Sequence, residues 1–92
     1  MKFMSTWSVL PETRKEAIER FLAGQATPPE GVTLLGRWHK ADASGGYSLY
    51  ESDNPQALYE TAAIWADVLE IHSTVVIEDA EAGPVLAKIA KK

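Results

Sequence analysis

The sequence predicts an α+β fold, a ferredoxin-like βαββαβ sandwich with an extra C-terminal helix. Three observations predict it: large and polar side chains alternate near the start, two later stretches have helical apolar spacing, and strand-like stretches separate them. The resulting order is strand, helix, strand, strand, helix, strand, helix, in which a strand–helix–strand unit occurs twice. With 92 residues, the chain is predicted to form one domain, residues 1–92, with a single core.

The first half is predicted to contain one helix between two strands. Side chains alternate over Lys2–Val9, as in a strand that begins at the start of the chain. A helix is expected to open at Pro11, because proline suits the first helical position, and to end at Gly24. Four residues at helical spacing form its predicted buried stripe: Ala17, Ile18, Phe21 and Leu22.

The second half begins with a predicted hairpin, with strands at 32–39 and 46–51 and a loop over residues 40–45. Asp53 or Asn54 is expected to cap the second helix. The predicted buried stripe of this helix consists of Leu58, Ala62, Trp65 and Leu69. A fourth strand is predicted at Ile71–Ile77. A turn at 79–82 and a last short helix that starts or kinks at Pro84 complete the prediction.

Composition excludes several classes of function. The chain is 46% hydrophobic and carries a net charge of −4 with scattered basic residues, so nucleic acid is not an expected partner. The absence of cysteine removes disulfides and thiolate chemistry, and two histidines are too few to predict a metal site. No stretch approaches the roughly 20 apolar residues of a membrane helix. We expect no membrane partner, no cofactor and a cytoplasmic location.

Arg37 and His39 are the candidate catalytic residues. Because they lie two positions apart on a predicted strand, their side chains point to the same side of the sheet. Arg37 is suited to hold an anionic substrate and His39 to act as a base near neutral pH. The alternative is a structural pair that is solvated or bonded to Glu51 or another carboxylate across the sheet.

Three aromatic residues, Trp7, Trp38 and Tyr50, are predicted to line a pocket for a flat ligand. Trp38 is assigned to the same strand face as Leu34 and Gly36. The alternative for Trp7, as for Trp65, is a place in the core or in a contact between subunits.

The predicted strands carry apolar residues on both faces, although the helices cover only one. Phe3 and Trp7 lie on one face of the first strand, for example, and Met4 lies on the other. An exposed apolar sheet face of this size favours burial against a second copy. We therefore predict a homodimer formed through the sheet face.

Four stretches, "MKFMSTWSVLPETRKEAIERFLAG", "GVTLLGRWH", "SGGYSLYES" and "WADVLEIH", resemble the family called domain of unknown function 3303. That family resembles a branch of the dimeric α+β barrel superfamily, in which two ferredoxin-like subunits press their sheets together. The superfamily includes cofactor-free monooxygenases, lactone isomerases, haem enzymes and ligand-sensing domains. The resemblance therefore agrees with the predicted fold and homodimer and implies almost nothing about activity. From the candidate site residues we predict a protein that binds a small molecule, with a cofactor-free monooxygenase or isomerase reaction as its chemistry if it is an enzyme. The other reading is a non-catalytic assembly or regulatory module, and the sequence leaves open whether the chain is an enzyme.

Overall fold

The structure is a computed structural model, which describes residues 1–91. It is a small α+β unit with a four-stranded antiparallel sheet and three α-helices. The elements in chain order are β1 (Lys2–Val9), a short 3₁₀ helix (Pro11–Thr13), α1 (Arg14–Leu22), β2 (Thr33–His39), β3 (Gly45–Glu51), α2 (Pro55–Trp65), β4 (Leu69–Val76) and α3 (Asp79–Ala90).

The strands lie in the order β2-β3-β1-β4, with β1 paired to both β3 and β4. This order is consistent with a ferredoxin-like fold. The two strands at the edges, β2 and β4, follow α1 and α2 respectively, so each helix connects an inner strand to an edge strand. Both helices therefore pack on the same face of the sheet, which we call the helix face.

Local chemistry explains where α2 begins. The Asn54 side chain accepts hydrogen bonds from the backbone N–H groups of Gln56 and Ala57, and Pro55 occupies the first turn. Of the two predicted caps, Asn54 is thus the one that forms. The helix ends at Trp65, so the prediction that Leu69 belongs to its buried stripe is wrong, because Leu69 begins β4.

A β-bulge in β2 determines which side chains reach the helix face. Leu34 pairs with Tyr50 and Gly36 pairs with Leu49, which leaves Leu35 as an extra residue. The bulge reverses the alternation, so Leu34 lies on the helix face while Gly36 and Trp38 lie on the opposite, open face. The predicted common face for Leu34, Gly36 and Trp38 is therefore wrong for Leu34.

The core is small and divided. One cluster contains Ala17, Trp65 and Val68, and a second contains Val32, Tyr50 and Ala57. Of the predicted stripe on α1 only Ala17 is buried, whereas Ile18, Phe21 and Leu22 are exposed. The helix stands away from the sheet along that stripe, and the space beneath it is the cavity described below.

The C-terminal part differs from the prediction. Residues 79–82 form the first turn of α3, because the Glu78 and Glu81 side chains make a capping box with the backbone. Pro84 lies inside this helix and does not start it. None of the helix residues is buried. Within residues 1–91, no helix is both long enough and apolar enough to cross a membrane.

Candidate ligand-binding site

A cavity of about 360 Å³ lies between the helix face of the sheet and helices α1 and α2. Its wall on the sheet comes from all four strands, through residues such as Trp7, Arg37, Ser48 and Ile71. Its volume lies within the range of about 300–1,000 Å³ that is usual for small-molecule sites.

Trp7 lies across the sheet instead of pointing away from it, because Gly46 is its neighbour on β3. A side chain at Gly46 would collide with the Trp7 indole and with the backbone carbonyl of Trp38. The glycine thus provides the space through which the indole reaches from β1 towards β2. The Trp7 Nε1–H donates to Ser48 Oγ at 3.3 Å, which fixes the ring in this orientation.

His39 is held between two aromatic rings. Its centroid lies 5.2 Å from that of Trp7 and 5.4 Å from that of Phe21, both in edge-to-face geometry. These contacts position the imidazole at the cavity without a direct hydrogen bond to a carboxylate among residues 1–91. Its ring nitrogens therefore remain available to a ligand.

Arg37 is anchored but keeps most of its donors. Its Nη2 donates to the carbonyl oxygen of Ala26 at 2.8 Å, and its guanidinium lies 5.6 Å from the ring centroid of Phe21. Glu51 pairs with Lys2 and Thr33 in the sheet and faces away from the cavity. Among the described residues Arg37 forms no ion pair, so a bond to Glu51 or another carboxylate does not occur, and of the predicted alternative only the solvated pair stays open.

Ser48 and Tyr50 bring two hydroxyl groups to the β3 side of the site, and Ser48 lies beside Arg37. Ser48 is its direct partner across β2 and β3 and is only 1% exposed, although it lines the cavity. The Ser48 oxygen accepts from Trp7, which leaves its own hydrogen free to be donated. Tyr50, two residues further along β3, is 8% exposed, and its hydroxyl has no hydrogen-bond partner within residues 1–91. The Arg37 guanidinium and the Ser48 hydroxyl thus lie side by side in the cavity wall.

Arg14 and Lys40 also line the cavity, but the Nζ of Lys40 lies 5.6 Å from the ring centroid of Tyr47, on the open face of the sheet. Arg14 donates to the carbonyl oxygen of Ala43 at 3.2 Å, which joins the start of α1 to the β2–β3 loop. That loop is shaped by Asp42, whose side chain accepts from both the N–H and the hydroxyl of Ser44. These hydrogen bonds lower the pKa of the Asp42 carboxyl.

Comparison with known protein families assigns the chain to one family. The sequence model of a family described as Domain of unknown function (DUF3303) matches residues 1–90. The chain belongs to the DUF3303 family. No curated protein matches it. The family description names no activity, so any function of this DUF3303 domain has to be argued from the site itself.

The structure brings four of the five predicted site residues of this DUF3303 domain together. Arg37, His39, Trp7 and Tyr50 all line the cavity. Trp38 does not: it pairs with Tyr47, is 55% exposed on the open face, and places its ring over Gly36. The β-bulge accounts for this separation from Leu34, since it reverses the alternation on which the predicted face was based.

Sequence reasoning missed Phe21, Ser48, Arg14 and Lys40 as site residues. Phe21 was predicted to be buried in the core, and helical spacing alone gives no sign that the helix stands off the sheet. The signal for Ser48 was available, since a buried serine opposite Arg37 follows from the hairpin pairing. Within residues 1–91 of this DUF3303 domain, no group of three His, Cys, Asp or Glu side chains is arranged to hold a metal ion.

Proposed function

We propose that this protein binds a small apolar anion, a carboxylate or enolate on an aromatic or alicyclic ring, in the cavity between sheet and helices. The charge of the cavity lining carries the proposal. Two arginines, Arg14 and Arg37, line the cavity together with His39, and among residues 1–91 no aspartate or glutamate does. Lys40 also borders the cavity, although its ammonium group lies over Tyr47. The whole chain, in contrast, has a net charge of −4. A cationic cavity in an acidic protein favours anionic ligands over neutral or cationic ones.

The polar groups near Arg37 support an oxygen anion as the charged part of the ligand. A guanidinium matches the two oxygens of a carboxylate, and the Ser48 hydroxyl supplies a further donor beside it. The remaining lining is largely apolar and aromatic, including Phe21, Trp65 and Ile71. Such a lining accommodates a flat hydrocarbon ring.

The position of His39 supports cofactor-free proton transfer as the chemistry, if the protein is an enzyme. An imidazole held at the cavity by Trp7 and Phe21 can take a proton from a ligand carbon or hydroxyl. Arg37 would then stabilise the resulting enolate. This is the step with which a cofactor-free monooxygenase or an isomerase begins.

Calorimetric titration with matched probes tests the binding proposal. We expect benzoate and 1-naphthoate to bind the wild-type protein, and benzamide and benzylamine to bind at least tenfold more weakly. Arg37→Gln should weaken carboxylate binding about 10- to 100-fold, since a hydrogen bond to a charged group contributes about 1.5–3 kcal/mol. Lys15→Gln is the control, because it removes one positive charge from α1 outside the cavity lining. Equal affinity for benzoate and benzamide, or no binding of any probe, overturns the proposal.

His39→Ala separates binding from chemistry. When a substrate that is turned over has been found, this variant should lose turnover while it still binds the carboxylate probes. A variant with full turnover refutes the assigned role of His39 and leaves the binding proposal intact.

We also propose that the protein is a homodimer formed through the open face of the sheet. Trp38 and Tyr47 are large, at least 41% exposed and paired with each other at the β2 and β3 end of that face. The β4 end of the same face carries Glu70 and His72, which bond to each other at 3.2 Å, so the apolar patch is confined to one side. A patch with a polar border is typical of an association surface.

Light scattering after size exclusion tests the dimer. We expect the mass of two chains at tens of micromolar protein, and a shift to the monomer for Trp38→Lys. Ile64→Lys serves as the control, since it adds the same charge at an exposed apolar position on α2. A monomeric wild type, or equal dissociation by both variants, overturns this interface. An undisturbed dimer that binds none of the probes would favour the second candidate function, a non-catalytic assembly or regulatory module.

A further inference from the structure

Helix α3 presents an apolar stripe that nothing else within residues 1–91 covers. Ala82, Val85, Leu86 and Ile89 recur at the spacing of one helix face. Val85, Leu86 and Ile89 are each more than half exposed, and no residue of α3 is buried. The structure is accordingly elongated, with extents of 53 × 30 × 18 Å. Its radius of gyration is 15.8 Å, against about 12 Å for a compact domain of this length.

The start of α3 is fixed, although its body is unsupported. The capping box of Glu78 and Glu81 sets the first turn, and Lys2 Nζ binds Glu78 Oε1 at 2.6 Å. A 12-residue helix is only marginally stable alone, and Gly83 and Pro84 in its interior weaken it further. A helix with a fixed start and an uncovered apolar stripe needs a partner surface.

A matching groove lies elsewhere on the same chain. It has a volume of about 280 Å³ and runs between α2 and the edge strand β4. Apolar side chains dominate its lining, namely Phe3, Leu58, Tyr59, Ala62, Ile71 and Val75. Tyr59 and Val75 remain exposed at its rim, so α3 of the same chain does not cover the groove.

We propose that α3 packs into this groove on a second copy of the chain, and that the second copy returns the same contact. Charge favours a second copy as the partner. Residues 1–77 contain six basic and ten acidic side chains, which give this part of the chain a net charge of −4. One of the acidic residues, Glu60, is next to Tyr59 in α2. Helix α3 brings Lys88 in its last turn, with Lys91 directly after it. The first turn of α3 is acidic, so it is the last turn of the helix that brings positive charge to an acidic body.

The surface area that the exchanged helices bury determines how much they contribute to the stability of the dimer. A 12-residue helix is about 18 Å long, and a stripe about 10 Å wide, buried on both surfaces at two symmetric contacts, removes roughly 700 Å² from water. A stable dimer needs about 1,200 Å² or more. The exchanged helices thus reinforce the dimer proposed above and do not form it alone, and the inference depends on that dimer.

Disulfide trapping tests the exchange cleanly, since the natural chain has no cysteine. The double variant Tyr59→Cys/Leu86→Cys places one thiol at the groove rim and one on the α3 stripe. Under mild oxidation we expect most of the protein to become a covalent dimer that dithiothreitol reverses. The control is Ile64→Cys/Leu86→Cys, in which the first thiol lies on another side of α2. Val85→Cys replaces Leu86→Cys if the latter variant does not fold.

Three outcomes would overturn the exchange. A cross-link within one chain, seen as unchanged mass with altered mobility, would assign α3 to its own groove. Equal trapping in the control variant would show that the contact is unspecific. If the protein is dimeric by light scattering but no disulfide forms, the exchange is refuted and the dimer through the sheet face stands. Leu86→Glu gives an independent reading: we expect the dimer to dissociate at least about tenfold more readily.

Discussion

Replacement of Gly46 by alanine is the sharpest test of how the site is built. The added Cβ would collide with the carbonyl oxygen of Trp38 and with the indole of Trp7. The carbonyl belongs to β2 beside the β2–β3 ladder and cannot retreat without disturbing that pairing. The indole is held by its hydrogen bond to Ser48 and by its contact with His39. The variant therefore cannot relieve either collision without a loss of stability.

The expected magnitude follows from that geometry. Overpacking in a sheet interior costs typically 1–3 kcal/mol, and a backbone collision lies at the upper end, so we expect a loss of about 2–3 kcal/mol. For a domain of this length, each kcal/mol lowers the melting temperature by about 4–8 °C. The melting temperature should thus fall by roughly 10–20 °C, and carboxylate binding should weaken because Trp7 is displaced from the cavity.

Gly36→Ala is the matched control. Its Cβ would also collide with a neighbour, but only with the ring of Trp38, which is exposed and free to rotate away. We expect a change within about 1 kcal/mol in the free energy of unfolding. Urea unfolding, followed by circular dichroism on both variants, measures the difference. Equal losses in the two variants, or a Gly46→Ala variant as stable as the wild type, would refute the argument that Trp7 needs this glycine.

The remaining predictions concern the frame around the site. Asn54→Ala should cost about 1 kcal/mol in urea unfolding, because two N–H groups of α2 lose their acceptor, whereas Asp53→Ala should cost less than half of that. Ala43→Gly should raise stability by about 0.5–1 kcal/mol, because Ala43 has a φ of 65°, and an unchanged or lower melting temperature would contradict this. Arg20 lowers the pKa of Asp67, chiefly through hydrogen bonds, so the stability that this pair contributes is present above about pH 4 and declines as the pH falls through the lowered pKa. Thermal melts from pH 7 to pH 2 should show a smaller acid loss in Asp67→Asn than in the wild type.

Sequence patterns predicted the parts of this fold that depend on local chemistry. Alternation located β1 at Lys2–Val9 with both ends correct, and the Asn54–Pro55 pair marked the start of α2. The antiparallel sheet with its helices on one face followed from element order alone. These features are predictable because each is determined within a few residues of the chain.

The predictions were wrong where contacts between residues distant in sequence determine the structure. The bulge at Leu35 separated Leu34 from Gly36 and Trp38, because bulges depend on the pairing of two strands. Trp38 itself lies outside the cavity because it alternates with Arg37 and His39 along β2. The turn predicted at 79–82 became helix because Glu78 and Glu81 cap it, a pattern that the local sequence contained but that Gly83 and Pro84 outweighed in the prediction. Phe21 was assigned to the core because helical periodicity identifies an apolar stripe and does not say how closely it approaches the sheet.

The distribution of ion pairs explains how a small acidic domain can contain a cationic cavity. Its acidic side chains are not spread evenly: Glu16 and Asp67 pair with Arg20, which reaches from α1 to the end of α2, and Glu78 pairs with Lys2. Arg37, by contrast, is satisfied by a backbone carbonyl and an aromatic face, which leave its charge uncompensated. Arg37 is held by uncharged groups, whereas Arg20 and Lys2 are paired with carboxylates. The positive potential is therefore concentrated in the cavity. A ligand that supplies the missing anion would complete this arrangement, so carboxylate binding should also raise the melting temperature.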